Sequence, residues 1–222
     1  MAVPAVNGTN STGSHASGAT SLTISHTVGA SLSNSLLIVM HSGISQHATG
    51  ATWNGTAMTL AKQGDGGQYF NTIWYLVAPE AGTLNVIISF ASQTRSNGGV
   101  ITLTGARQTS PIDQTFDANG NTGTSVSDTL TSTEADTLVM DVVMGNSSTA
   151  FGVGADQIEQ TTINNSERMA TSTENAATIG TYTMSWTKSD ASAHQHTGIN
   201  VRAPAAAAVA KIQSNLLLMN VG

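Results

Sequence analysis

Residues 73–90 form the most strongly patterned stretch of the chain. The first five of them, Ile-Trp-Tyr-Leu-Val, are aliphatic or aromatic, and beyond residue 82 large apolar residues alternate with polar ones. Alternation with a period of two is typical of a strand that buries one face. Pro79 cannot donate a backbone hydrogen bond and Gly82 relaxes the backbone, so residues 78–82 interrupt the pattern. The stretch therefore predicts two strands joined by a turn.

Other stretches carry patterns of different kinds. Residues 36–40 are a continuous apolar run, Leu-Leu-Ile-Val-Met, which is typical of a strand covered on both faces. Asn54-Gly55 lies between two alternating segments and is the strongest hairpin motif in the chain. We expect the polar residues 91–99 to form a loop and residues 105–117 to form an irregular link.

Four segments of the first half recur in the second half, in the same order and at offsets of 98 to 102 residues. They are residues 23–28 with 125–130, 34–38 with 136–140, 82–86 with 180–184, and 99–101 with 198–200. Chance alternation accounts for any single match, but four in order favour an internal pseudo-repeat. A period of about 100 residues is too long for a solenoid repeat or a propeller blade. It fits two four-stranded Greek keys in one jelly roll, or two halves of one sandwich.

The pattern predicts an all-β protein, with a single β-sandwich or jelly roll of about eight or more antiparallel strands over residues 21–203. Its two similar Greek-key halves are expected at residues 21–104 and 123–203. Residues 1–20 have no hydrophobic period and predict a flexible, extended N-terminal arm. The expected core residues are Leu36, Ile38, Met40, Trp53, Trp74, Leu76, Leu84, Val86, Ile88, Phe90, Leu138, Met140, Val142, Met184 and Trp186.

The chain carries little charge: 9% of its 222 residues are charged and the net charge is -6. Its seven Lys and Arg residues are scattered and give no basic patch for nucleic acid or for an anionic membrane. It has no cysteine, which excludes disulfides and thiolate chemistry. No stretch approaches the roughly 20 apolar residues of a spanning helix, and the first residues lack the basic and apolar regions of a secretion signal.

Two spacings are compatible with a bound metal. His194 and His196 are expected on one face of a strand, at a spacing that a metal can use. The sequence offers no third ligand, however. The alternative to a metal site is a polar loop before the strand at residues 198–201. Residues 117–121, Asp-Ala-Asn-Gly-Asn, alternate oxygen ligands as a calcium loop does. They lack the closing glutamate and suit a turn equally well. We therefore expect no metal and no cofactor.

Two further residue sets are typical of proteins that act on carbohydrate. A glycoside hydrolase needs two carboxylates at a defined separation, which the sequence does not fix. The candidate acids are Asp113, Asp128, Asp136, Asp141, Asp156 and Glu159. Trp53, Trp74, Tyr75 and Trp186 suit a sugar-stacking platform, although aromatic residues on alternating strands more often belong to the core. The chain has no nucleophile elbow, phosphate loop or dinucleotide fingerprint, and we expect no catalytic residue.

Residues 204–222 differ in kind from the rest of the chain and predict a C-terminal arm. An alanine-rich part is followed by four large apolar residues, Leu216, Leu217, Leu218 and Met219. An isolated helix of this length is marginal in water, so the arm needs a surface to dock on. That surface is either its own sandwich or a groove or sheet edge of a neighbour. We expect these four residues to bind a partner.

A resemblance follows from the motifs of the first half. Residues 74–79, Trp-Tyr-Leu-Val-Ala-Pro, with residues 81–83 and the alternating strand after them, resemble an uncharacterised β-sandwich module of phage structural proteins and bacterial surface proteins. Residues 53–59 and 111–113 fit the same module. The resemblance covers residues 20–115, with a weaker match beyond them. It implies a fold and carries no catalytic residues.

From this resemblance we expect a non-enzymatic structural protein of a virion, most similar to a phage capsid decoration or cement protein that binds a capsid lattice. The start at Met1 without a signal peptide and the short arms at both ends favour the phage side, with assembly in the host cytoplasm. The expected partners are further copies of the chain, in a homo-oligomer such as a trimer, and a capsid protein. The alternatives are a subunit of an extracellular filament or surface layer, joined through a terminal segment, and a carbohydrate-binding adhesin or tail module.

Overall fold

The computed structural model describes residues 2–120, 123–146, 149–165 and 167–205, and of residues 16–18 only the backbone. This part of the chain contains fifteen β-strands and no helix. It therefore contains no helix that could cross a membrane. The strands of the first half are β1 (Ala5–Val28), β2 (Leu36–Ile44), β3 (Ala48–Trp53), β4 (Thr56–Ala57), β5 (Thr59–Asp65), β6 (Tyr69–Val77) and β7 (Gly82–Thr104). Those of the second half are β8 (Ile112–Gly120), β9 (Ser125–Ser132), β10 (Thr137–Asn146), β11 (Phe151–Val153), β12 (Ile158–Asn164), β13 (Glu167–Ala176), β14 (Gly180–Lys188) and β15 (His194–Val201). The predicted all-β class is confirmed.

Two long strands organise the first half. β1 has 24 residues and β7 has 23, and the two pair antiparallel. The first part of β7 lies between β1 and β3, and its last part lies between β1 and β2. Strands β1 to β7 together form one seven-stranded sheet. The sheet folds into an outer layer, which contains β3, β4 and the start of β7, and an inner layer, which contains β2, β5, β6 and the end of β7.

A hydrophobic core lies between these two layers. Trp53 and Ile88 come from the outer layer, whereas Leu37, Val39 and Trp74 come from the inner layer, and all five are buried in one cluster. Leu37 and Val39 share this face because successive side chains of a strand point to opposite sides. The layered antiparallel sheets are consistent with a β-sandwich.

The strand pairing of the second half repeats that of the first half. Its inner sheet has the order β12-β13-β10-β15-β8 and its outer sheet the order β11-β14-β9. β10 lies between β13 and β15 as β2 lies between β6 and β7, and β9 and β11 flank β14 as β1 and β3 flank the start of β7. One predicted equivalence is wrong by a residue. Val39 pairs with Val100 and Asp141 pairs with Gly198, so Gly198 is equivalent to Val100 and not to Gly99.

The two inner layers pack face to face and share a core. Leu36 and Ile38 of β2 belong to one fully buried cluster with Met140 of β10 and Ile199 of β15. Because Leu37 and Val39 of β2 face the outer layer, the prediction of a strand at residues 36–40 covered on both faces is confirmed. All the expected core residues are buried except Leu76 and Leu84, which are partly buried against the first core.

The predicted hairpin is confirmed. Trp53 of β3 pairs with Thr56 of β4, and the two residues between them, Asn54 and Gly55, have φ angles of 46° and 83°. A two-residue type I′ turn needs positive φ at both positions, which Asn and Gly tolerate better than other residues.

Three expectations about polar segments are wrong. Residues 5–20, expected in a flexible arm, belong to β1 and pair with the second part of β7, so the expected end of that arm falls inside a strand. Residues 91–99, expected to form a loop, lie inside β7, and residues 112–117 of the expected link begin β8. Strand pairing satisfies the backbone whatever the side chains are, so a hydrophobic pattern misses strands of polar residues. Residues 206–222 of the expected C-terminal arm lie outside the described residues.

Candidate functional site

The residues expected to bind a partner, Leu216, Leu217, Leu218 and Met219, lie outside the described residues. The structure does describe the end of the last strand before them. β15 ends at Val201, beside the start of β8 and the start of β10. This end of the molecule is therefore the candidate site for contact with a partner.

Arg107, in the link between the halves, binds the last described residues. Its backbone N–H donates to the carbonyl of Arg202 at 2.8 Å, and its Nε donates to the carbonyl of Ala203 at 3.1 Å. The guanidinium also donates to both carboxylate oxygens of Glu134, from Nη1 at 2.9 Å and from Nη2. A two-point contact of this kind fixes orientation as well as distance.

Arg202 adds a second guanidinium to the same place. Its Nη2 donates to Oδ1 of Asp113 at 2.8 Å, and its Nε lies 2.9 Å from Oε1 of Glu134. The Asp113 carboxylate is fully buried and also accepts from the backbone N–H of Thr133 at 2.8 Å. Two arginines and two acids thus balance their charges and fix Ala203 in place. We call Arg107, Asp113, Glu134 and Arg202 the exit cluster.

A groove of about 240 Å³ lies at the start of β1 and of β12. We call it the terminal groove. Its lining is partly polar, from Gln160, Thr173 and Asn175, and partly apolar, from Val3, Pro4, Ala5, Val6, Leu138 and Ile158. Leu138 pairs with Val201 across β10 and β15, so the groove begins one strand away from the exit. Ile158 is 63% exposed and belongs to β12, which is an edge strand within the described part of the chain.

The N-terminal segment lies at the same end of the molecule. Ala5, at the start of β1, pairs with Thr104, at the end of β7. A Cβ added to Gly105 would lie 4.0 Å from Cα of Pro4, and two residues later Arg107 binds the C-terminal side. Both ends of the described chain therefore flank the link between the halves.

His196, one of the two histidines considered as metal ligands, lies in a buried charged cluster of the second half. Its Nδ1 is 2.7 Å from Oδ2 of Asp128, and its Nε2 is 2.8 Å from Oδ2 of Asp141. Burial alone would lower the pKa of His196, but the hydrogen bonds to both carboxylates outweigh it and the pKa is raised. With an acceptor at each nitrogen, His196 is suited to the doubly protonated, charged form.

Asp141 is fully buried and its remaining hydrogen-bonding capacity is used by neighbours. It accepts from the Trp186 indole at 2.8 Å and from the Ser172 backbone N–H and hydroxyl at 2.9 and 2.6 Å. The Ser172 hydroxyl thus donates to a carboxylate, whereas the serine of a nucleophilic triad hydrogen-bonds to the histidine. The arrangement is that of a stabilising core network.

His194 has a different environment, although it lies on the same face of β15. Its Nδ1 is 3.1 Å from Nζ of Lys188. Burial, followed by the nearby charges of Lys188 and His196, lowers the pKa of His194 to about 4. Among the described residues, no group of three or more His, Cys, Asp or Glu is arranged to hold a metal ion.

The calcium-loop alternative at residues 117–121 does not fit those of the residues that are described. Asp117 lies in β8, where its Oδ1 accepts from Nε2 of Gln195 at 2.6 Å, and Asn121 lies outside the described residues. The other candidate acids have separate roles. Asp128 and Asp141 meet at His196, Asp113 contacts Arg202, Glu159 accepts from Thr162, and Asp136 and Asp156 occupy turns with positive φ.

The tryptophans do not form a sugar-stacking platform. Trp53 and Trp186 are 1% exposed and Trp74 is 8% exposed, so all three belong to the cores between the layers. Tyr75 is partly buried against the core shared by the inner layers. The carbohydrate-binding alternative depended on aromatic rings at the surface, and the three tryptophans are not at the surface.

Comparison with models of known protein families, with curated proteins and with solved structures finds no match.

Proposed function

We propose that the chain is a non-enzymatic structural subunit of a virion, in the role of a phage capsid decoration or cement protein. The observation that supports this proposal most directly is the fixed exit of the chain. The exit cluster holds Ala203, and beyond Ala205 the sequence continues for the 17 residues 206–222, which include four consecutive large apolar residues. Burying each of those side chains stabilises a contact by roughly 1.5 to 3 kcal/mol. A neighbouring subunit is the natural surface for them.

The strand order supports a jelly-roll interpretation of each half. In the second half the inner sheet has the order β8-β15-β10-β13-β12, and the outer sheet has the order β9-β14-β11. Apart from β12 and β13, which both belong to the inner sheet, consecutive strands alternate between the facing sheets as they do in jelly rolls. Viral capsid proteins use this fold. The first half has the same order when the two parts of β1 and of β7 are counted separately. We accordingly interpret the fold as one jelly-roll-like sandwich in each half, instead of one built from both.

On this proposal the partners are further copies of the chain, in a homo-oligomer such as a trimer, and a capsid protein. Assembly takes place in the host cytoplasm and the product is located on the virion. A subunit of an extracellular filament or surface layer is the alternative, because the same terminal segment can join copies end to end.

The test is to delete residues 206–222 and to measure both stability and assembly. The melting temperature should change by less than about 2 °C, because no described core residue is removed. Binding to capsid shells, measured by co-sedimentation, should be lost. A matched pair in the full-length chain is Leu217→Asp, which should abolish binding, and Gln213→Asp, which adds the same charge outside the apolar run and should not.

Two outcomes would contradict the proposal. A large fall in the melting temperature on deletion, with binding retained, would place the segment on its own sandwich. Filaments formed by the purified full-length protein alone would favour the alternative.

A further inference from the structure

His26 is a polar residue in an otherwise apolar row of β1. Leu22, Ile24 and Val28 share its face of the strand and belong to the core between the two layers of the first half. His26 itself is 2% exposed, and its ring lies edge-on to Trp53, with 6.2 Å between the ring centroids. A histidine buried in this way is costly unless its ring nitrogens find hydrogen-bond partners.

Two hydroxyl groups are the partners of the His26 ring. Its Nδ1 is 2.9 Å from Oγ of Ser11, and its Nε2 is 2.8 Å from Oγ1 of Thr102. When Thr102 accepts the proton of Nε2, Nδ1 is left as the acceptor for the Ser11 hydroxyl. A serine that donates to a histidine, which a third group orients, is the arrangement of an activated nucleophile. Ser172 in the second half differs, because its hydroxyl donates to a carboxylate.

Ser11 reaches His26 because of an irregularity in β1. Between two of its pairs with β7, β1 has the three residues 8–10 where β7 has only one. Gly8, the first of the three, has a φ angle of 76°. Pairing resumes at Ser11, opposite Val100, so Ser11 points to the same face as Val100, into the core between the layers. Bulges commonly re-aim a side chain in this way and are frequent next to active sites.

Ser11 also lines a pocket of about 310 Å³. The other lining residues are small or polar, and several of them are exposed, so the pocket is open to solvent: Asn7, Gly8, Thr9, Thr27 and Gly29. A Cβ added to Gly8 would meet nothing within 4 Å, which leaves room for a small acyl group beside the Ser11 hydroxyl. Gly8 and Thr9 line the pocket without a paired residue in β7. Backbone N–H groups directed into such a pocket stabilise the oxygen of a tetrahedral intermediate.

We propose that Ser11 is a covalent modification site, whose hydroxyl is acylated by an activated ester with His26 as the base. Oγ of Ser11 attacks the ester carbonyl while Nδ1 of His26 takes the hydroxyl proton. The bond between the carbonyl carbon and the leaving oxygen then breaks, and the proton passes from His26 to the leaving alcohol. The inference does not rest on the proposed function, because one acyl group per chain is a modification and not a turnover.

The first experiment treats the folded full-length protein with p-nitrophenyl acetate. We expect a burst of one p-nitrophenolate per chain, and tandem mass spectrometry of the peptides should locate the acetyl group on Ser11. Ser11→Ala should abolish the burst. Ser14→Ala is the matched control, because Ser14 is an exposed serine of the same strand that does not line the pocket, and it should leave the burst unchanged.

The second experiment separates a base from a structural residue. His26→Gln keeps hydrogen-bonding groups at this position but cannot take the proton, so the rate of acylation should fall at least about 100-fold. Thr102→Val removes the group that orients the ring and should also lower the rate, whereas Thr102→Ser should restore it. Circular dichroism checks that each variant is folded. If His26→Gln does not fold, the two Thr102 variants and the pH profile decide.

The pH profile of the wild-type rate reports on His26. Burial lowers the pKa of His26 below its ordinary value, and the recorded neighbours of the ring, Ser11, Thr102 and Trp53, carry no charge. The base is therefore neutral at pH 7. The rate should stay level down to about pH 6.5 and fall only below it.

Three results would overturn the inference. Acetylation of lysine residues with no label on Ser11 would exclude a nucleophilic serine. Equal labelling of Ser11 and Ser14 would show that exposure alone decides reactivity. A rate unchanged in folded His26→Gln, or unchanged by both Thr102 variants with a flat pH profile, would exclude the histidine as the base.

The proposed function fails or stands separately. Release of p-nitrophenolate beyond one equivalent would support Ser11 as the nucleophile, but it would contradict the non-enzymatic part of the proposed function. Absence of capsid binding in the wild-type protein would contradict the proposed function and leave the Ser11 result unaffected.

Discussion

Asp141 and His196 lie on neighbouring strands, β10 and β15, and meet diagonally across the pair. The backbone of His196 is opposite Val143, and its Nε2 reaches back to Oδ2 of Asp141 at 2.8 Å. Both side chains are fully buried. The contact links the charge state of one side chain to the stability of the second half.

Removing the histidine should be strongly destabilising. His196→Leu leaves the buried Asp141 without its cation, and the loss of one partner of a buried ion pair costs about 3–5 kcal/mol. The free energy of urea unfolding measures this loss. Glu159→Gln, a change at an exposed acid, is the control and should stay within about 0.5 kcal/mol. A cost below about 1 kcal/mol for His196→Leu would show that Asp141 is stabilised by Trp186 and Ser172 alone.

We expect the protein to lose stability in acid because His41 is buried in its neutral form. Burial, followed by the nearby charges of His47 and His15, lowers its pKa to about 3. Its Nδ1 is 3.2 Å from Oγ1 of Thr72, while its Nε2 has no hydrogen-bond partner among the described residues. The neutral form is therefore the stable one in the fold. Because the unfolded chain takes up this proton near pH 6.5, stability is full above that pH and falls as the pH decreases towards 3.

The measurement is the unfolding free energy of wild type and His41→Gln between pH 7 and pH 4. The wild-type curve should be steeper by up to about 1.4 kcal/mol per pH unit, which corresponds to one proton. His194, whose pKa is also lowered, remains in both proteins, so only the difference between the curves reports on His41. Parallel curves would contradict the prediction. His196 has a raised pKa, so its contribution is present below pH 6.5 and is lost as the pH rises through the raised value.

The sequence predicted those parts of the fold in which side chains alone specify the strand. The apolar run at residues 36–40 and the Asn54-Gly55 turn each carry a local pattern, and both are found. The polar residues 91–99 carry none, because their strand is defined by backbone pairing with β1 and β2. The side chains of residues 91–99 therefore did not indicate that β7 continues through this segment.

The charged clusters were not predictable for a related reason. His196 and Asp141 are 55 residues apart in sequence, and they meet only because of the register between β10 and β15. A shift of one residue would send the two side chains to opposite faces. The exit cluster likewise joins single charged residues from separate segments. The residues next to Arg107 or Glu134 in the sequence do not indicate that these two form an ion pair.

A side chain at Gly64 should destabilise the protein, because Gly64 lies against side chains of the second half. A Cβ there would lie 2.5 Å from Nε2 of Gln195 and 2.6 Å from Oδ1 of Asp117, both in the second half. We expect Gly64→Ala to destabilise the protein by about 1–3 kcal/mol, as overpacking commonly does. Gly50 is the matched control: it also lies in a strand of the first half, and a Cβ there would meet nothing within 4 Å. Equal unfolding free energies for Gly64→Ala and Gly50→Ala would show that the halves can move apart.

We expect neither half to be stable alone, because the inner layers of the two halves share one core. Leu36, Ile38 and Ile101 are fully buried in the core that the two halves share, and a fragment of residues 1–110 would expose them together. Burial of each such side chain is worth roughly 1.5 to 3 kcal/mol, and small domains have only about 5 to 15 kcal/mol of total stability.

We therefore expect the 1–110 fragment to aggregate when it is expressed alone, even though its own outer core is intact. Co-expression with residues 111–222 should restore a soluble complex, because the cut falls in the link before β8 and leaves every strand whole. Size-exclusion chromatography and near-UV circular dichroism measure both outcomes. A soluble 1–110 fragment with a cooperative unfolding transition would mean that each sandwich folds independently and that the shared core serves only to join them.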